Sequence, residues 1–233
     1  MSKRKLLVFD SPDYATPFKG VFDVVYADTK KSLVDGIKEC DAVLFTGGSD
    51  VSPHLYQEPQ GKYTHPYPER DKFEQFVWNM AREHNKPTLG ICRGLQFGAV
   101  MSGGKLIQHT NGHAGGSHMI RDIFGNNLFM TSLHHQMVRP ETVESAVVVA
   151  TSSGQLSHTY LDGFDKEIYG ERPQADFVPE AEIVWINKTR HLGIQGHPEM
   201  SNNGSLHKYC CQLVNFYMFD DKAVPPKYDP LDY

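Results

Sequence analysis

Between Pro87 and Val100 the sequence PTLGICRGLQFGAV passes from a short apolar run straight into a helical pattern, with Cys92 at the junction between Gly90 and Gly94. No other segment constrains the fold as tightly. A strand that turns into a helix at one residue belongs at the carboxyl edge of a sheet, and strands that alternate with helices build parallel sheets. The thiol itself admits two explanations. Free cysteine is among the most buried residue types, so it could simply be packed. A nucleophile presented on a tight corner is the other explanation, and residues elsewhere in the chain must decide between them.

The first half of the chain repeats the same alternation. Lys5–Phe9 (KLLVF), Phe22–Ala27 (FDVVYA) and Asp41–Phe45 (DAVLF) read as short buried strands, with a helical pattern between Lys31 and Cys40. Glu69–Asn85 is the clearest helix, because Phe73, Phe76, Val77, Met80 and Ala81 recur at helical spacing as one apolar stripe. Apolar strands separated by amphipathic helices predict a parallel sheet covered on both faces. Ligands bind at the carboxyl ends of such strands, where both Gly47-Gly48 and Cys92 fall. The second half changes character. Met119–Met130 reads as two strands around Gly125-Asn126-Asn127, Val147–Ala150 as another, and Ala181–Gln195 as a hairpin turning at Asn187-Lys188. Ser205–Phe219 returns to helix, with Leu206, Tyr209, Cys210, Leu213 and Tyr217 on one side, before an irregular proline-rich tail over about 220–233. One domain over 1–233 is the expectation.

Composition narrows the function classes. At 39% hydrophobic and 22% charged, the chain is of ordinary globular character. A net charge of −5, with Lys3-Arg4-Lys5 the one basic cluster, argues against a nucleic-acid or anionic-membrane surface. The start MSKRKLLVFDSPDY is too soon polar for a signal peptide or membrane span. Cys40, Cys92, Cys210 and Cys211 have neither disulfide-framework nor CxxC spacing, so reduced thiols in a cytoplasmic protein are expected.

Gly90-Ile91-Cys92-Arg93-Gly94 fits the G-x-nucleophile-x-G elbow. The corner forces its central residue into a strained conformation that pushes the side chain into the cleft, and flanking glycines let neighbouring backbone pass. At a helix N-terminus the dipole favours the thiolate, and the following N–H, that of Arg93, faces any oxyanion formed on attack. A proton carrier is supplied by Gln195-Gly196-His197-Pro198-Glu199: His197 can take the thiol proton and return it to a leaving amine, while Glu199 orients the imidazole. The plain alternative is a solvated surface turn. Thr46-Gly47-Gly48-Ser49-Asp50 offers a second donor, the Gly48 N–H, although Gly-Gly is often only a turn.

LFTGGSDVSP, GICRGLQ, SLHHQ and QGHPE occur in the order and approximate spacing of the class I glutamine amidotransferase superfamily. GGSDVSPHLY most resembles the γ-glutamyl-γ-aminobutyrate hydrolase-like (peptidase C26) branch, and the match runs from about Leu6 to the C-terminal helix. The fold this implies is α/β, a flavodoxin-like three-layer sandwich with a mostly parallel central sheet and a small antiparallel β addition in the second half. The resemblance assigns Cys92 as nucleophile, His197 as base, Glu199 as orienting acid, and Gly48 and Arg93 as oxyanion donors. It likens Gln96 to the glutamine that holds the γ-carboxamide region. Ser132, His134, His135 and Gln136 resemble the loop that receives the α-amino and α-carboxylate end of a glutamyl group. The implied activity is hydrolysis of the γ-amide of glutamine or a γ-glutamyl amine through a γ-glutamyl thioester, with no metal or organic cofactor.

Two features depart from the branch. The position before His197 is usually aromatic, and here it is Gly196, which should open space for a bulkier amine or a partner surface, or admit another wall. The segment DGFDKEIYGERPQADFVPEAE, about 162–182, is long and acidic and could cover the cleft, bind a partner, or be plain surface connection. Histidines 109, 113, 118, 134 and 135 invite a metal, but structural zinc sites favour tight spacing and cysteine, so none is expected; His118 is assigned instead to the support of the SLHHQ loop. Two further classes stay in view. One is a glutaminase component that feeds ammonia to a separate synthetase or nucleotide-modifying partner. The other is a non-catalytic binding protein on the same fold, with homodimerisation left open in each case.

Overall fold

The computed structural model describes residues 3–169, 180–219 and 224–229. Its first four strands are β1 (Arg4–Val8), β2 (Phe22–Tyr26), β3 (Ala42–Phe45) and β4 (Thr88–Ile91). There follow β5 (Lys105–Ile107), β6 (His109–Thr110), β7 (Ala114–Asp122), β8 (Asn127–Leu133) and β9 (Met137–Arg139). The last are β10 (Ala146–Ser152), β11 (Tyr160–Leu161), β12 (Ala181–Ile186) and β13 (His191–Ile194). Nine of these make one sheet in the order β2-β1-β3-β4-β13-β12-β10-β7-β8, parallel from β2 to β13 and antiparallel from β13 to β8. The antiparallel addition is therefore continuous with the central sheet.

Alternate side chains of the strands feed two cores. Leu6 and Val8 pack toward the C-terminal helix α4 (Gly204–Val214) and the 3-10 turn Pro12–Phe18. Leu7, Val43 and Phe45 pack toward α1 (Lys30–Glu39), α2 (Pro68–Glu83) and α3 (Arg93–Met101). Period-two alternation in a strand places successive residues on opposite faces, which gives the three layers. Local signals set the helix ends. Thr29 and Ser32 form a reciprocal capping box on α1, and the Asn203 carboxamide oxygen caps α4 at Ser205 N and Leu206 N. No helix among the described residues is long and apolar enough to cross a membrane.

The expected apolar stripe of α2 is rotated in the structure. Its buried residues are Asp71, Glu74, Val77, Trp78 and Ala81, whereas Phe73 is 43% exposed and Phe76 and Met80 are half-buried. Two acids displace phenylalanine from the core because a buried arginine of α3 awaits them. Register then aligns the strand ends: Phe45 pairs with Gly90, and Gly90 and Ile91 with Gly193 and Ile194. The segments that leave β3, β4 and β13 therefore start side by side at one edge.

Close backbone approach makes this edge intolerant of side chains. A Cβ on Gly94 would lie 2.2 Å from the Phe45 carbonyl oxygen, and one on Gly90 2.4 Å from the Gly94 carbonyl carbon. Substituting Gly94→Ala should therefore cost at least about 3 kcal/mol, since rigid backbone cannot yield as a side chain can. Urea unfolding followed by circular dichroism measures it, and a loss below about 1 kcal/mol would contradict the packing.

Candidate active site

Cys92 stands at the N-cap of α3 with φ 51° and ψ −106°, a left-handed conformation that costs a non-glycine residue about 1–3 kcal/mol. Its N–H donates to the Ile194 carbonyl at 2.7 Å, which ties the corner to β13. Cys92 is 7% exposed, and its thiol lies near enough to His197 to act on the imidazole's ionisation. His197 follows β13, and its own N–H donates to Thr131 O of β8 at 2.8 Å. His197 Nδ1 donates to Glu199 Oε1 at 2.7 Å, both side chains being nearly buried. Burial opposes the imidazolium, but Cys92 and Glu199 outweigh this and raise the His197 pKa to about 10. Cysteine, histidine and carboxylate thus stand in one relay, an arrangement suited to nucleophilic attack and proton return.

The Gly47-Gly48 turn closes the other side. A Cβ at Gly47 would lie 2.7 Å from the Tyr14 hydroxyl and 3.1 Å from His197 Cε1. Gly48 has φ 146° and carries the Arg70 guanidinium against its Cα, where a Cβ would meet Nη1 at 2.1 Å. Gly48 is exposed. The Arg93 N–H belongs to the first turn of α3, where helical amides have no intrahelical acceptor.

Around these atoms lies a charged framework that sequence patterns gave no means of finding. The Arg93 side chain is fully buried and pairs with Asp71 at 2.5 Å and with Glu74. Glu74 also accepts from Arg70 Nε at 2.8 Å, and Arg70 Nη2 reaches Thr46 Oγ1 at 2.9 Å and Asp10 at 3.2 Å. Asp71 Oδ2 accepts the Ser52 N–H at 3.1 Å. Tyr14, half-buried, lies with its ring 6.2 Å from that of His197, and burial together with Glu199 and Cys92 pushes its pKa up to about 12. The spacing of Arg70, Asp71 and Glu74 on α2 puts all three on one face, the only trace they leave in the sequence.

The residues matched to a substrate-binding loop are mostly turned inward. Gln96 Nε2 donates to the Gln136 carbonyl at 2.8 Å, and Gln136 Nε2 donates to Gln108 O at 3.0 Å and Thr64 Oγ1 at 3.1 Å. Ser132 Oγ donates to His113 O at 2.6 Å. Ser132, His134 and Gln136 are all buried. His135 is half-buried and meets Asp50 at 3.2 Å, which joins the loop to the Gly47-Gly48 turn.

Gly196 is enclosed, and this corrects the expectation of added space for a bulky amine. A Cβ there would lie 2.0 Å from Met130 Cγ and 2.9 Å from Thr131 O, because β8 crosses where an aromatic ring was expected. The alternative of another wall is the one realised. Of the acidic segment, residues 170–179 lie outside the described residues.

The histidines divide. His109 stacks on Tyr63 with centroids 4.0 Å apart and lies beside His135. His113, His118 and His134 converge on Glu182 of β12, with Glu180 beside His113. Burial lowers the His134 pKa to about 3. Burial opposes ionisation of Glu182, yet its histidine neighbours hold its pKa well down, near 2. Spacing within one loop could not reveal this group, since Glu182 lies in β12 and Glu180 just before it, far along the chain.

Two outcomes follow from the relay and its framework. Arg93→Met leaves two carboxylates buried without their shared cation and should cost about 3–5 kcal/mol in urea unfolding, although the substituted side chain is in volume a fair match. His197 should titrate above its ordinary value of 6.5 in an NMR pH series. Because its folded pKa is raised, its contribution to stability is fully present below pH 6.5 and is lost as pH climbs through about 10. Glu199→Gln should bring that pKa down, and an unmoved value would contradict the bond.

Comparison with known proteins shows the family and the fold. The family profile of Peptidase C26 matches residues 16–199. The glutamine amidotransferase-like protein YvdE of Lactococcus lactis is 30% identical over 178 residues, 76% of this chain and 73% of that protein. The carbamoyl phosphate synthase small chain of Wigglesworthia glossinidia brevipalpis is 30% identical over 58% of this chain, a match that spans only 32% of that protein. Among solved structures, a glutamine amidotransferase from Thermotoga maritima superposes with TM-score 0.53 at 16% identity, covering 93% of this chain and 85% of the other, which shows a shared fold. The chain therefore belongs to the peptidase C26 family, and it is an enzyme of the glutamine amidotransferase type, an amidase acting on C–N bonds.

Proposed function

We propose that this chain hydrolyses the γ-amide bond of glutamine or of a γ-glutamyl amine through a γ-glutamyl thioester on Cys92. The observation that carries this reading is the strained Cys92 corner, whose thiol lies near His197 while His197 bonds to Glu199. His197 takes the thiol proton, and the sulfur attacks the γ-carbonyl carbon. Charge gathers on the carbonyl oxygen, which the backbone N–H groups of Gly48 and Arg93 receive. The C–N bond then breaks as His197 returns the proton to the leaving amine. Water, deprotonated by His197, cleaves the thioester and releases glutamate with the thiol restored. Every step runs on side chains and backbone of this chain.

Gln96 and the 132–136 loop fit a supporting role for the glutamyl end. With Ser132, His134 and Gln136 buried, the substrate meets the loop through its backbone and through His135. Tyr14 and Arg70 belong to the same cleft: the Tyr14 hydroxyl stands against Gly47 and the Arg70 guanidinium against Gly48. The similarity to a carbamoyl phosphate synthase small chain favours a second reading, in which a separate synthetase accepts the ammonia.

The test is a panel of glutamine and several γ-glutamyl amines, with ammonia or amine release measured for wild type and Cys92→Ala. Cys92→Ala should lose more than about 10⁴-fold in rate, and Glu199→Gln about 10²–10⁴-fold. Mass spectrometry of quenched wild type should find a glutamyl adduct on Cys92. Equal turnover by Cys92→Ala would end the proposal. Glutamine hydrolysis that stays slow until a synthetase is added would favour the second reading.

A further inference from the structure

The cluster around Glu182 has no part in the amide chemistry, yet it is the most unusual polar group in the interior. His113 lies just before β7 and His134 just after β8, while Glu182 sits in β12. All three side chains are buried, and one ligating atom of each lies within 4.8 Å of the others. Five of the twelve buried side-chain atoms that lack a hydrogen-bond partner among the described residues belong to these three: both nitrogens of His113, both of His134, and Glu182 Oε2. Buried polar atoms are nearly always satisfied; His113 meets Glu180 and Glu182 only in contacts of 3.2 and 3.4 Å outside hydrogen-bond geometry, and the His134 nitrogens and Glu182 Oε2 beside it have no partner, so one ligating atom on each of the three converging side chains points to a missing common partner.

We propose that His113, His134 and Glu182 form a buried site for a first-row divalent cation of the zinc type, with His118 and Glu180 orienting its ligands. Two imidazoles and a carboxylate are a donor set suited to zinc. The outer groups are also placed for it. His118 Nε2 donates to Glu182 Oε1 at 2.8 Å, while Glu182 Oε2 has no hydrogen-bond partner among the described residues. Glu180 Oε2 stands 3.2 Å from His113 Nε2, so that Nδ1, 3.4 Å from Glu182 Oε1, becomes the ligating nitrogen. A carboxylate behind a ligating histidine is the usual device for fixing its tautomer. Glu180 is itself pinned by Ser152 Oγ, Ser157 N and the Tyr160 hydroxyl.

The ion-pair partners of Glu180 and Glu182 among the described residues are histidines only, without a lysine or arginine. Tetrahedral zinc holds nitrogen and oxygen ligands at about 2.0–2.2 Å, so closing the group takes movements of roughly 1 Å. The bound ion would clamp the loop after β8 to the central sheet at β12. It would do so whether or not Cys92 cleaves an amide.

The full chain, stripped with a chelator and dialysed, is titrated with Zn²⁺ against a chromophoric competitor, and its thermal midpoint is read with and without Zn²⁺. One Zn²⁺ per chain and a raised midpoint are expected. His134→Leu replaces a partnerless imidazole by an apolar group, so it should fold without metal and lose both effects. Glu180→Gln should fold and weaken binding about 10–100-fold. Cys92→Ser and His109→Ala should bind as wild type does. Absence of stoichiometric binding by the folded wild type overturns the proposal. So does binding that survives His134→Leu, or binding abolished by Cys92→Ser, which would place the ion on the catalytic thiol.

Discussion

The guanidinium of Arg93 is fully buried between Asp71 and Glu74, and the sheet edge around Cys92 depends on how those charges are held. A charge taken out of water is tolerable only when paired and hydrogen-bonded, so the three residues must meet in one geometry. That demand orients α2 against the start of α3, next to Cys92. Through Glu74 it extends to Arg70, which lies against Gly48 and bonds Thr46. One buried pair network therefore ties the Cys92 corner to the Gly47-Gly48 turn. Packing of apolar groups alone would leave α2 free to settle by hydrophobic area, with Phe73 inward.

A second constraint comes from the sheet. Parallel pairing of β3, β4 and β13 brings their carboxyl ends to one edge, so that residues 46–48, 92 and 195–199 leave the sheet together. β8 then crosses over Gly196 and accepts the His197 N–H on Thr131 O, so that this strand walls the position before His197. The antiparallel half of the sheet thus reaches back to His197. The same half carries the His113–His134–Glu182 cluster on its other connections.

The sequence was most legible where chemistry and local geometry coincide. The strand–Cys92–helix corner, the glycines around it and the histidine-bearing turn each carry a short-range pattern, and each lies where that pattern implies. The strands of the first half were equally readable, since buried parallel strands are continuous apolar runs. The face of α2 was misjudged because periodicity counts apolar residues and gives no weight to acids that bury with a distant cation. Gly196 was misjudged for a related reason: a missing ring says nothing about which strand fills its place.

By itself the sequence determined the layer architecture and the strand–Cys92–helix corner, because these rest on backbone preference and on neighbours within a few positions. Only the tertiary structure decided what surrounds them. The pairing of Arg93 with α2, the closure of Gly196 by Met130 and the meeting of His113, His134 and Glu182 all join segments far apart in the chain. Charge burial and close packing are properties of such meetings, and no local pattern of residues encodes them.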